Sequence, residues 1–515
     1  MRTLLINPPY PISEFPTIPM GLAYVAAVLR KEGHEVRIAD FLVSKYTKEK
    51  LERIINEYKP DIVGTTSVTL NYPGAAAILK DVKEINDNIM TVFGGPHVTF
   101  TPEETLTVEA PWVDLIVMGE GDYTLVDIIE GKPLREVKGI AFKEKGKVVI
   151  TEQRPWIDNL DELPEPARDL FPISRYRALG AEGGIISSRG CPFGCTFCVG
   201  HRMVGKKGRF RDPKLVVDEI QHILAMGFKM INIVDDLLTI NKKHVYAICD
   251  EIKERKLKFQ WTAFSRVDTV NRELFTRMRE AGCFFILYGV ESGNQKILDN
   301  VRKKITLEET VAAVELAREC DIRILASFII GLPGETKETL ADTVRFGKSL
   351  NTHYGFHLLS PFPGTEVREK AADYGMRILT NDWTKYDANE AIVEHPEVSA
   401  EDLLAVDRQY KADLDRYVKK LDALEKEGKL PEYDGIRIRG QRRGAIAGAM
   451  AQNDIIENLG TLRDNGDRVE DLVTVLADRI PHPRDEIQGA IDDLITDGLL
   501  RHEVVSGGVV WSWAR

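Results

Sequence analysis

Three of the six cysteines of this 515-residue chain lie within one stretch of eight residues. In the sequence SSRGCPFGCTFC, Cys191, Cys195 and Cys198 have the spacing C-x-x-x-C-x-x-C, with glycines at positions 190 and 194. A structural zinc site takes four thiolate or histidine ligands, whereas this loop offers three thiolates and no histidine. The pattern therefore favours an iron–sulfur cube with one open iron. Zinc stays as the alternative if a distant cysteine supplies the fourth ligand.

The other three cysteines stand alone in stretches typical of helices or strands. We expect Cys249, Cys283 and Cys320 to be buried structural residues.

A second group of candidate residues follows the short apolar runs of the first 131 residues, which alternate with amphipathic helices. Such alternation predicts a parallel sheet, and the carboxyl ends of its strands share one edge where ligands bind. The dinucleotide fingerprint G-x-G-x-x-G is missing after the first run, which disfavours a nicotinamide or flavin dinucleotide. The small residues at this edge therefore either form tight turns or bind another kind of ligand. The residues at the predicted edge are Asn7, Pro8, Pro9, Thr66, Ser67, Gly94, Gly95, Pro96, His97, Gly119, Glu120 and Gly121.

The positions of these groups follow from a predicted α/β architecture of several units. Residues 1–131 are expected to form a Rossmann-like doubly wound domain, and residues 132–181 a linker. Six strand–helix units over residues 182–370 predict a partial (β/α)6 barrel, whose chemistry lies at the carboxyl ends of its strands. Residues 371–435 are expected to form a helical extension. Residues 436–515 have the two helices and hairpin of a winged helix.

The cysteine loop, placed directly after the first barrel strand, resembles that of the radical S-adenosylmethionine (SAM) superfamily. This resemblance implies a 4Fe-4S cluster on the three cysteines, with SAM bound to the open iron and cleaved to a 5′-deoxyadenosyl radical. It implies Asp235 or Asp236 for the SAM ammonium, with Asp235 preferred, and Arg266 for its carboxylate. The full set of implied SAM contacts is Phe197, Asp235, Asp236, Arg266, Glu291, Ser292, Gly331 and Glu335.

The doubly wound domain, with GGPHVTFTPEE and VMGEGD, resembles the cobalamin-binding branch of that superfamily. This branch includes the anaerobic magnesium-protoporphyrin ester cyclase, hopanoid-modifying enzymes and C-methylases, and the resemblance implies cobalamin at the edge residues given above. The motif D-x-H-x-x-G, which supplies a histidine to cobalt, is absent, because NPPYPISEF follows the first strand. We therefore expect cobalamin without that ligand, and His97 as a hydrogen-bonding residue.

The resemblance implies a methylase that transfers a methyl group from methylcobalamin to an unactivated carbon after hydrogen abstraction by the 5′-deoxyadenosyl radical. Two alternatives stay open: an oxidative cyclase or a lipid- or tetrapyrrole-modifying enzyme, and a non-catalytic cobalamin or redox sensor. The cofactors perform this chemistry, so ordinary acid–base motifs are not required. Candidate substrate contacts are Tyr288, Tyr354 and His357.

Partners follow from charge and composition. The net charge is −11 and the second winged helix carries Asp485, Glu486, Asp492, Asp493 and Asp497, which argues against nucleic-acid binding. We expect no membrane span, a cytoplasmic location, anaerobic chemistry and a low-potential donor such as ferredoxin or flavodoxin. Winged modules of peptide-modifying radical enzymes hold a peptide strand, so a protein or peptide substrate docked by this module is also expected.

Overall fold

The computed structural model describes residues 1–10 and 16–514 and has the predicted α/β architecture. The amino-terminal domain consists of β1 (Arg2–Asn7), α1 (Met20–Lys31), β2 (Glu35–Asp40), α2 (Lys48–Tyr58), β3 (Ile62–Thr66), α3 (Tyr72–Ile85), β4 (Met90–Gly94), α4 (Pro96–Phe100), α5 (Pro102–Glu104), β5 (Leu115–Val117), α6 (Thr124–Ile129), β6 (Ile140–Glu144) and β7 (Lys147–Ile150).

The first sheet has the strand order β2-β1-β3-β4-β5-β6-β7, and its first five strands are parallel. Its strands are short buried apolar runs, as expected for a parallel sheet. The order reverses between β1 and β3, and the carboxyl edge at such a reversal is where open α/β sheets bind ligands.

The sheet extends beyond the predicted boundary at residue 131. β6 and β7 lie in the segment assigned to the linker, yet both continue the sheet in antiparallel orientation. The true connection is shorter and contains α7 (Ile173–Ala178). Alternating sequence in a two-stranded hairpin carries too weak a signal to assign it to a distant sheet.

The second unit is the predicted six-stranded partial barrel, with order β15-β14-β13-β12-β11-β8 and all neighbours parallel. It consists of β8 (Gly183–Ile185), β9 (Ser188–Arg189), α8 (Gly200–Met203), β10 (Arg209–Phe210), α9 (Pro213–Ala225), β11 (Met230–Ile233), α10 (Lys242–Glu254), β12 (Gln260–Ser265), α11 (Arg272–Glu280), β13 (Cys283–Glu291), α12 (Gln295–Asn300), α13 (Leu307–Glu319), β14 (Arg323–Ile330), α14 (Lys337–Ser349) and β15 (His353–Leu358).

The main barrel helices begin where the sequence supplies a capping side chain. Asp212, Asn241, Asn271, Thr306 and Thr336 each accept a hydrogen bond from a backbone N–H in the first turn of α9, α10, α11, α13 and α14, respectively. Such caps satisfy N–H groups that have no partner within the helix. Each helix start is thereby fixed relative to the strand end before it.

The rest of the chain forms an extension and a winged-helix module. These comprise α15 (Glu366–Glu369), β16 (Arg377–Ile378), β17 (Val393–Glu394), α16 (Ala400–Lys426), α17 (Glu432–Gln452), β18 (Thr461–Leu462), α18 (Arg468–Ala477), α19 (Arg484–Thr496), β19 (Leu500–Val505) and β20 (Gly508–Trp513). The module therefore has one helix and one strand more than the sequence predicts, and its sheet order is β18-β20-β19.

The winged-helix module is attached to the amino-terminal end of the barrel. Asp497 pairs with Lys229, which precedes β11, and with Arg443. Arg443 also donates to the carbonyl oxygen of Arg177, before β8. Glu486 pairs with Arg442. Part of the acidic helix surface is thus used in internal ion pairs.

Within residues 1–10 and 16–514, every helix is too short or too polar to cross a lipid bilayer.

Candidate active site

The cysteine loop starts and ends on a short antiparallel ribbon. β9 pairs with β10, so Arg189 lies opposite Arg209 and the loop between them is closed. Gly190 has φ +107°, and a Cβ added there would lie 2.3 Å from the carbonyl oxygen of Lys207. The Cys191 N–H donates to the carbonyl oxygen of Gly205 at 3.2 Å. Only glycine permits this conformation and this close approach at position 190.

The three thiols share this loop but differ in exposure. Cys195 is buried, Cys191 is half-buried and Cys198 is the most exposed. Desolvation raises the pKa of Cys198 to about 11, and the charges of Cys195, Cys191 and Glu291 add to that rise. The Gly200 N–H donates to the Cys198 Sγ at 3.3 Å. Three thiols with a backbone donor to sulfur fit an iron–sulfur cluster. Within the described ranges, no three metal-ligating side chains lie close enough together to hold one metal ion.

The other cysteines lie away from this loop. Cys249 and Cys283 are fully buried, as expected, whereas Cys320 is only half-buried.

Arg266 lies beneath the cysteine loop. Its guanidinium is 3.6 Å from the centre of the Phe193 ring and donates twice to the Asp268 carboxylate at 3.0 Å. It also donates to the carbonyl oxygen of Lys303 at 2.7 Å. In this structure Arg266 therefore supports the loop. Its predicted contact with a SAM carboxylate would require part of this network to open.

The two aspartates after β11 have different environments. Asp235 is buried and accepts from the Ser187 N–H, the Ser187 hydroxyl and the Ser188 hydroxyl, each at 2.6 Å. Burial raises its pKa to about 6. In this structure the Asp235 carboxylate is occupied by the chain that leads into the cysteine loop, so its predicted contact with the SAM ammonium would require these hydrogen bonds to open. Asp236 lines the cavity described below and accepts from the Gly190 N–H at 2.9 Å.

Glu291 ends β13 in a strained conformation, with φ +70°. Its carboxylate pairs at 2.6 Å with the ammonium of Lys303, and both side chains are buried. Such strain in a residue other than glycine persists only where the surroundings enforce it, often at functional sites. Ser292 is fully buried and hydrogen-bonds the Thr343 hydroxyl at 3.1 Å, so it holds the strand end rather than facing a ligand.

The remaining predicted SAM residues lie around the same strand ends. The Gly331 N–H donates to the Glu335 carboxylate at 2.6 Å, and His395 hydrogen-bonds the Gly331 carbonyl oxygen at 2.8 Å. Burial raises the pKa of Glu335 to about 8. These residues pack against the extension. Phe197 is half-buried beside Cys198, and its contact with adenine stays a prediction.

A cavity of about 310 Å³ lies between the two domains and is lined by the carboxyl edges of both sheets. The amino-terminal side contributes the switch-point strands and the glycine loops. The barrel side contributes Ser188, Arg189 and Asp236, next to the cysteine loop. The wall is mainly apolar, as is usual for cofactor sites. Seven predicted edge residues line it: Thr66, Gly94, Gly95, Pro96, Gly119, Glu120 and Gly121.

Comparison with known proteins agrees with this geometry. Residues 13–129 match the B12 binding domain family, and residues 185–347 match the Radical SAM superfamily. An uncharacterized methyltransferase of Pyrococcus horikoshii is 37% identical over 415 residues, covering 78% of this chain and 90% of that protein. The chain belongs to the cobalamin-dependent radical SAM enzymes. Its cofactors are cobalamin, SAM and a 4Fe-4S cluster.

Two further relatives of this radical SAM enzyme extend the comparison. The anaerobic magnesium-protoporphyrin IX monomethyl ester cyclase of Cereibacter sphaeroides is 34% identical over 404 residues, covering 75% of this chain and 65% of that protein. Among solved structures, the cobalamin-dependent SAM radical enzyme OxsB, with aqua-cobalamin and SAM bound, has a TM-score of 0.68 at 18% identity. That match covers 96% of this chain and 79% of OxsB, and it shows a shared fold.

The glycine loops of the enzyme fit a flat ligand that approaches the backbone. Gly95 has φ +102°, and a Cβ there would lie 2.4 Å from the carbonyl oxygen of Ser67. Gly119, with φ +71°, lies on the same cavity wall. Both glycines therefore bring backbone atoms to the cavity wall. That shape suits the corrin ring expected at this edge.

Five predicted edge residues do not line the cavity: Asn7, Pro8, Pro9, Ser67 and His97. The Asn7 amide donates to the Asp40 carboxylate at 2.8 Å, which fixes the end of β1 to β2. Ser67 is buried beside Gly95. Residues 11–15 of the proline-rich loop lie outside the described residues.

His97 belongs to an aromatic cluster rather than to the cavity wall. Its ring stacks on Tyr72 with centroids 4.0 Å apart and meets the edge of Trp383 at 4.8 Å. Its Nδ1 hydrogen-bonds the Thr69 hydroxyl at 3.3 Å. Burial, together with the charge of Arg368, lowers its pKa to about 3. His97 is a hydrogen-bonding residue here, as expected, but its partner is Thr69, and a contact of His97 with cobalamin stays a prediction.

Strand register separates the three candidate substrate residues. Side chains alternate between the two faces of a strand. Tyr288 shares its face with Ala326 and Tyr354 and is fully buried in the outer layer. Tyr354 packs on Tyr410 of α16. Both side chains therefore point away from the barrel interior in this structure, where they pack in the outer layer.

His357 lies on the inner face, in register with Ile329. On the same face lies Phe264, which is 41% exposed although it is inside the barrel. His357 stays a predicted substrate contact, and Phe264 joins it. The alternating sequence of β12 places Phe264 on one face of its strand, which is the signal that could have identified it. Only the register of the six strands shows that this face is the inner one.

Proposed function

We propose that this enzyme is a C-methyltransferase that delivers a cobalamin-bound methyl group to an unactivated substrate carbon, after hydrogen abstraction by the 5′-deoxyadenosyl radical. The observation that carries this proposal is the single cavity shared by the glycine loops of one sheet and the cysteine-loop end of the other. A radical and a methyl donor must both reach one carbon atom, and a shared cavity at two facing carboxyl edges supports that arrangement.

When bound, the cluster with SAM supplies the radical and cobalamin supplies the methyl group. The chain itself supplies position and exclusion of water. Cys191, Cys195 and Cys198 would hold the cluster, and Gly94, Gly95, Gly119 and Gly121 would cradle the corrin ring. Asp236 lies where both sites meet, because it lines the cavity and accepts from the Gly190 N–H.

The cavity wall next to the first sheet is apolar, because β1, β3 and β4 contribute Leu5, Gly64 and Val92 to it. No histidine is among the described residues that line the cavity, so cobalamin bound there would receive no imidazole from this wall. The match to the Pyrococcus methyltransferase supports methylation. The match to the Cereibacter cyclase supports oxidative cyclisation as a second candidate.

The substrate contacts proposed here are His357 and Phe264 on the inner barrel face. Delivery of a peptide by the winged-helix module is not part of this proposal. The module contacts residues before β8 and β11, at the end of the barrel opposite to the cysteine loop. A low-potential protein such as ferredoxin or flavodoxin is proposed as the electron donor.

SAM with a deuterated methyl group tests the reaction. Anaerobically reconstituted, reduced enzyme with cobalamin would be incubated with fractionated extract of the source cells, and products analysed by mass spectrometry. The proposed methyltransferase gives S-adenosylhomocysteine from the SAM that supplies the methyl group, 5′-deoxyadenosine and methionine from the SAM that supplies the radical, and a product that carries the label. A cyclase gives 5′-deoxyadenosine and an unlabelled product, and a sensor gives no SAM-derived product at all. Either of the last two results overturns the proposal.

A further inference from the structure

Four buried charged residues form a chain of ion pairs between the two domains, in the order Asp122, Arg189, Glu120 and Arg209. Arg189 donates to Glu120 at 3.1 Å and to both oxygens of Asp122 at 3.1 and 3.2 Å. Arg209 donates to both oxygens of Glu120 at 2.9 and 2.7 Å. Their side chains are between 2% and 10% exposed. Two carboxylates thus balance two guanidiniums with little access to water.

One end of this network is built into the cobalamin side of the cavity. Glu120 stands between Gly119 and Gly121, and all three residues line the cavity together with Asp122. A ligand that displaces the backbone at either glycine therefore acts directly on Glu120. The Ile157 N–H also donates to Glu120, at 3.0 Å.

The other end of the network is built into the base of the cysteine loop. Arg189 precedes Gly190 and Cys191, and it pairs with Arg209 across the β9–β10 ribbon. Arg209 also donates to the carbonyl oxygen of Val204 at 2.8 Å, within the returning arm of the loop. Both arms of the cysteine loop are therefore held through Glu120, a residue of the other domain.

Burying such charged side chains has a large desolvation free energy, and hydrophobic residues of similar size often stabilise a fold as well or better. Its value lies in geometry, because bidentate guanidinium–carboxylate pairs fix both distance and orientation. Although burial opposes ionisation, hydrogen bonds from Arg209 and the charge of Arg189 keep the pKa of Glu120 below its ordinary value. Glu120 is thus ionised at neutral pH.

We infer that Glu120, Asp122 and Arg189 are positioning residues that couple cobalamin binding to the cysteine loop, so that each cofactor site strengthens the other. The inference rests on the cofactor assignment made above. A cysteine loop held by the cluster would fix Glu120, Gly119 and Gly121 in the conformation that binds cobalamin. Because coupling free energies are reciprocal, bound cobalamin would stabilise the cluster by the same factor.

The test compares the dissociation constant for hydroxocobalamin in cluster-free and cluster-reconstituted protein, measured anaerobically by equilibrium dialysis. In the unmodified enzyme we expect reconstitution to tighten binding by about tenfold, a typical coupling. Glu120→Gln removes the charge that joins the two arginines, and we expect the ratio to fall to about 1. Asp122→Asn is a milder second variant with the same expected direction, because Arg209 keeps its partner.

Glu219→Gln is the matched control. Glu219 is fully buried and also pairs with two arginines, Arg168 and Arg211, but it does not line the cavity. We expect this variant to keep the tenfold ratio even if it is less stable. A ratio of 1 in the unmodified enzyme, an unchanged ratio in Glu120→Gln, or equal loss in Glu219→Gln overturns the inference. Failure of the unmodified enzyme to bind hydroxocobalamin at all would instead overturn the proposed function.

Discussion

At the residue scale, the chemistry depends on three thiols, and the surroundings of Cys191 and Cys198 disfavour the thiolate form. Desolvation raises the pKa of Cys191 as well as that of Cys198. Coordination to iron reverses this, because a metal-bound thiol is deprotonated outright. The type and spacing of these residues could be predicted from the sequence. Their unequal exposure depends on contacts that lie far apart in the chain.

Removing one ligand tests the role of these thiols. We expect Cys195→Ser to reduce iron retained after anaerobic reconstitution by more than about 100-fold, since even outer partners of metal ligands often contribute 10- to 100-fold. The measurement is iron and sulfide content per chain. Cys320→Ser, at a half-buried helix end outside the loop, is the control and should keep its iron. Equal iron content in the two variants would contradict the assignment.

His97 gives the fold a pH dependence. Its folded-state pKa of about 3 is below its ordinary value of 6.5, so the unfolded chain takes up a proton first as the pH falls. Stability from His97 is thus present above about pH 6.5 and is lost progressively below it. At about pH 5 the loss is about 2 kcal/mol.

Denaturation by urea at about pH 7 and about pH 5 measures this loss. We expect the unmodified enzyme to lose more stability than His97→Phe over that interval. His222→Asn is the control. Its hydrogen bond to Glu165 raises the pKa of the exposed His222, so that residue contributes in the opposite sense. Parallel pH dependence of His97→Phe and the unmodified enzyme would show that His97 is not buried as described.

At the element scale, the cysteine loop depends on one glycine more than on the other. Gly190 has a left-handed conformation and no space for a Cβ, whereas Gly194 has neither a positive φ nor an atom within 4 Å. The sequence places both glycines in the loop and does not distinguish them. Only the approach of Lys207 from the far arm of the loop distinguishes them.

Alanine substitutions measure this difference. We expect Gly190→Ala to lose most of its cluster, because the loop must move away from Lys207 or adopt a strained φ. Gly194→Ala should assemble a cluster with the visible absorbance of the unmodified enzyme. The readout is the absorbance of the cluster after reconstitution, with circular dichroism to confirm folding. A reversed order, with Gly194→Ala the more defective variant, would contradict this account of the loop.

Helix α17 is the helix of the winged-helix module that the sequence does not predict. It contains Gly435, Gly440, Gly444 and Gly448, and glycine disfavours helix by about 1 kcal/mol at each position relative to alanine. The helix forms because it packs closely on α7. A Cβ at Gly444 would lie 2.9 Å from the carbonyl oxygen of Leu179. Tertiary packing here overrides local propensity.

At the scale of the whole molecule, periodicity predicts the two large domains, and the cysteine spacing together with the family resemblance predicts the cluster site. The shared cavity does not, because it depends on how two sheets face each other. No sequence pattern joins Glu120 to Arg209 across 89 residues. The inner and outer faces of the barrel strands likewise became distinguishable only once their register was known.

The central claim is that an open iron in the cysteine loop binds and cleaves SAM. Its most direct test is the formation of 5′-deoxyadenosine from SAM by anaerobically reconstituted protein after reduction with dithionite. We expect formation well above background in the unmodified enzyme and none in Cys198→Ala. No 5′-deoxyadenosine from protein with a full complement of iron and sulfide, or equal formation by Cys198→Ala, would contradict the claim.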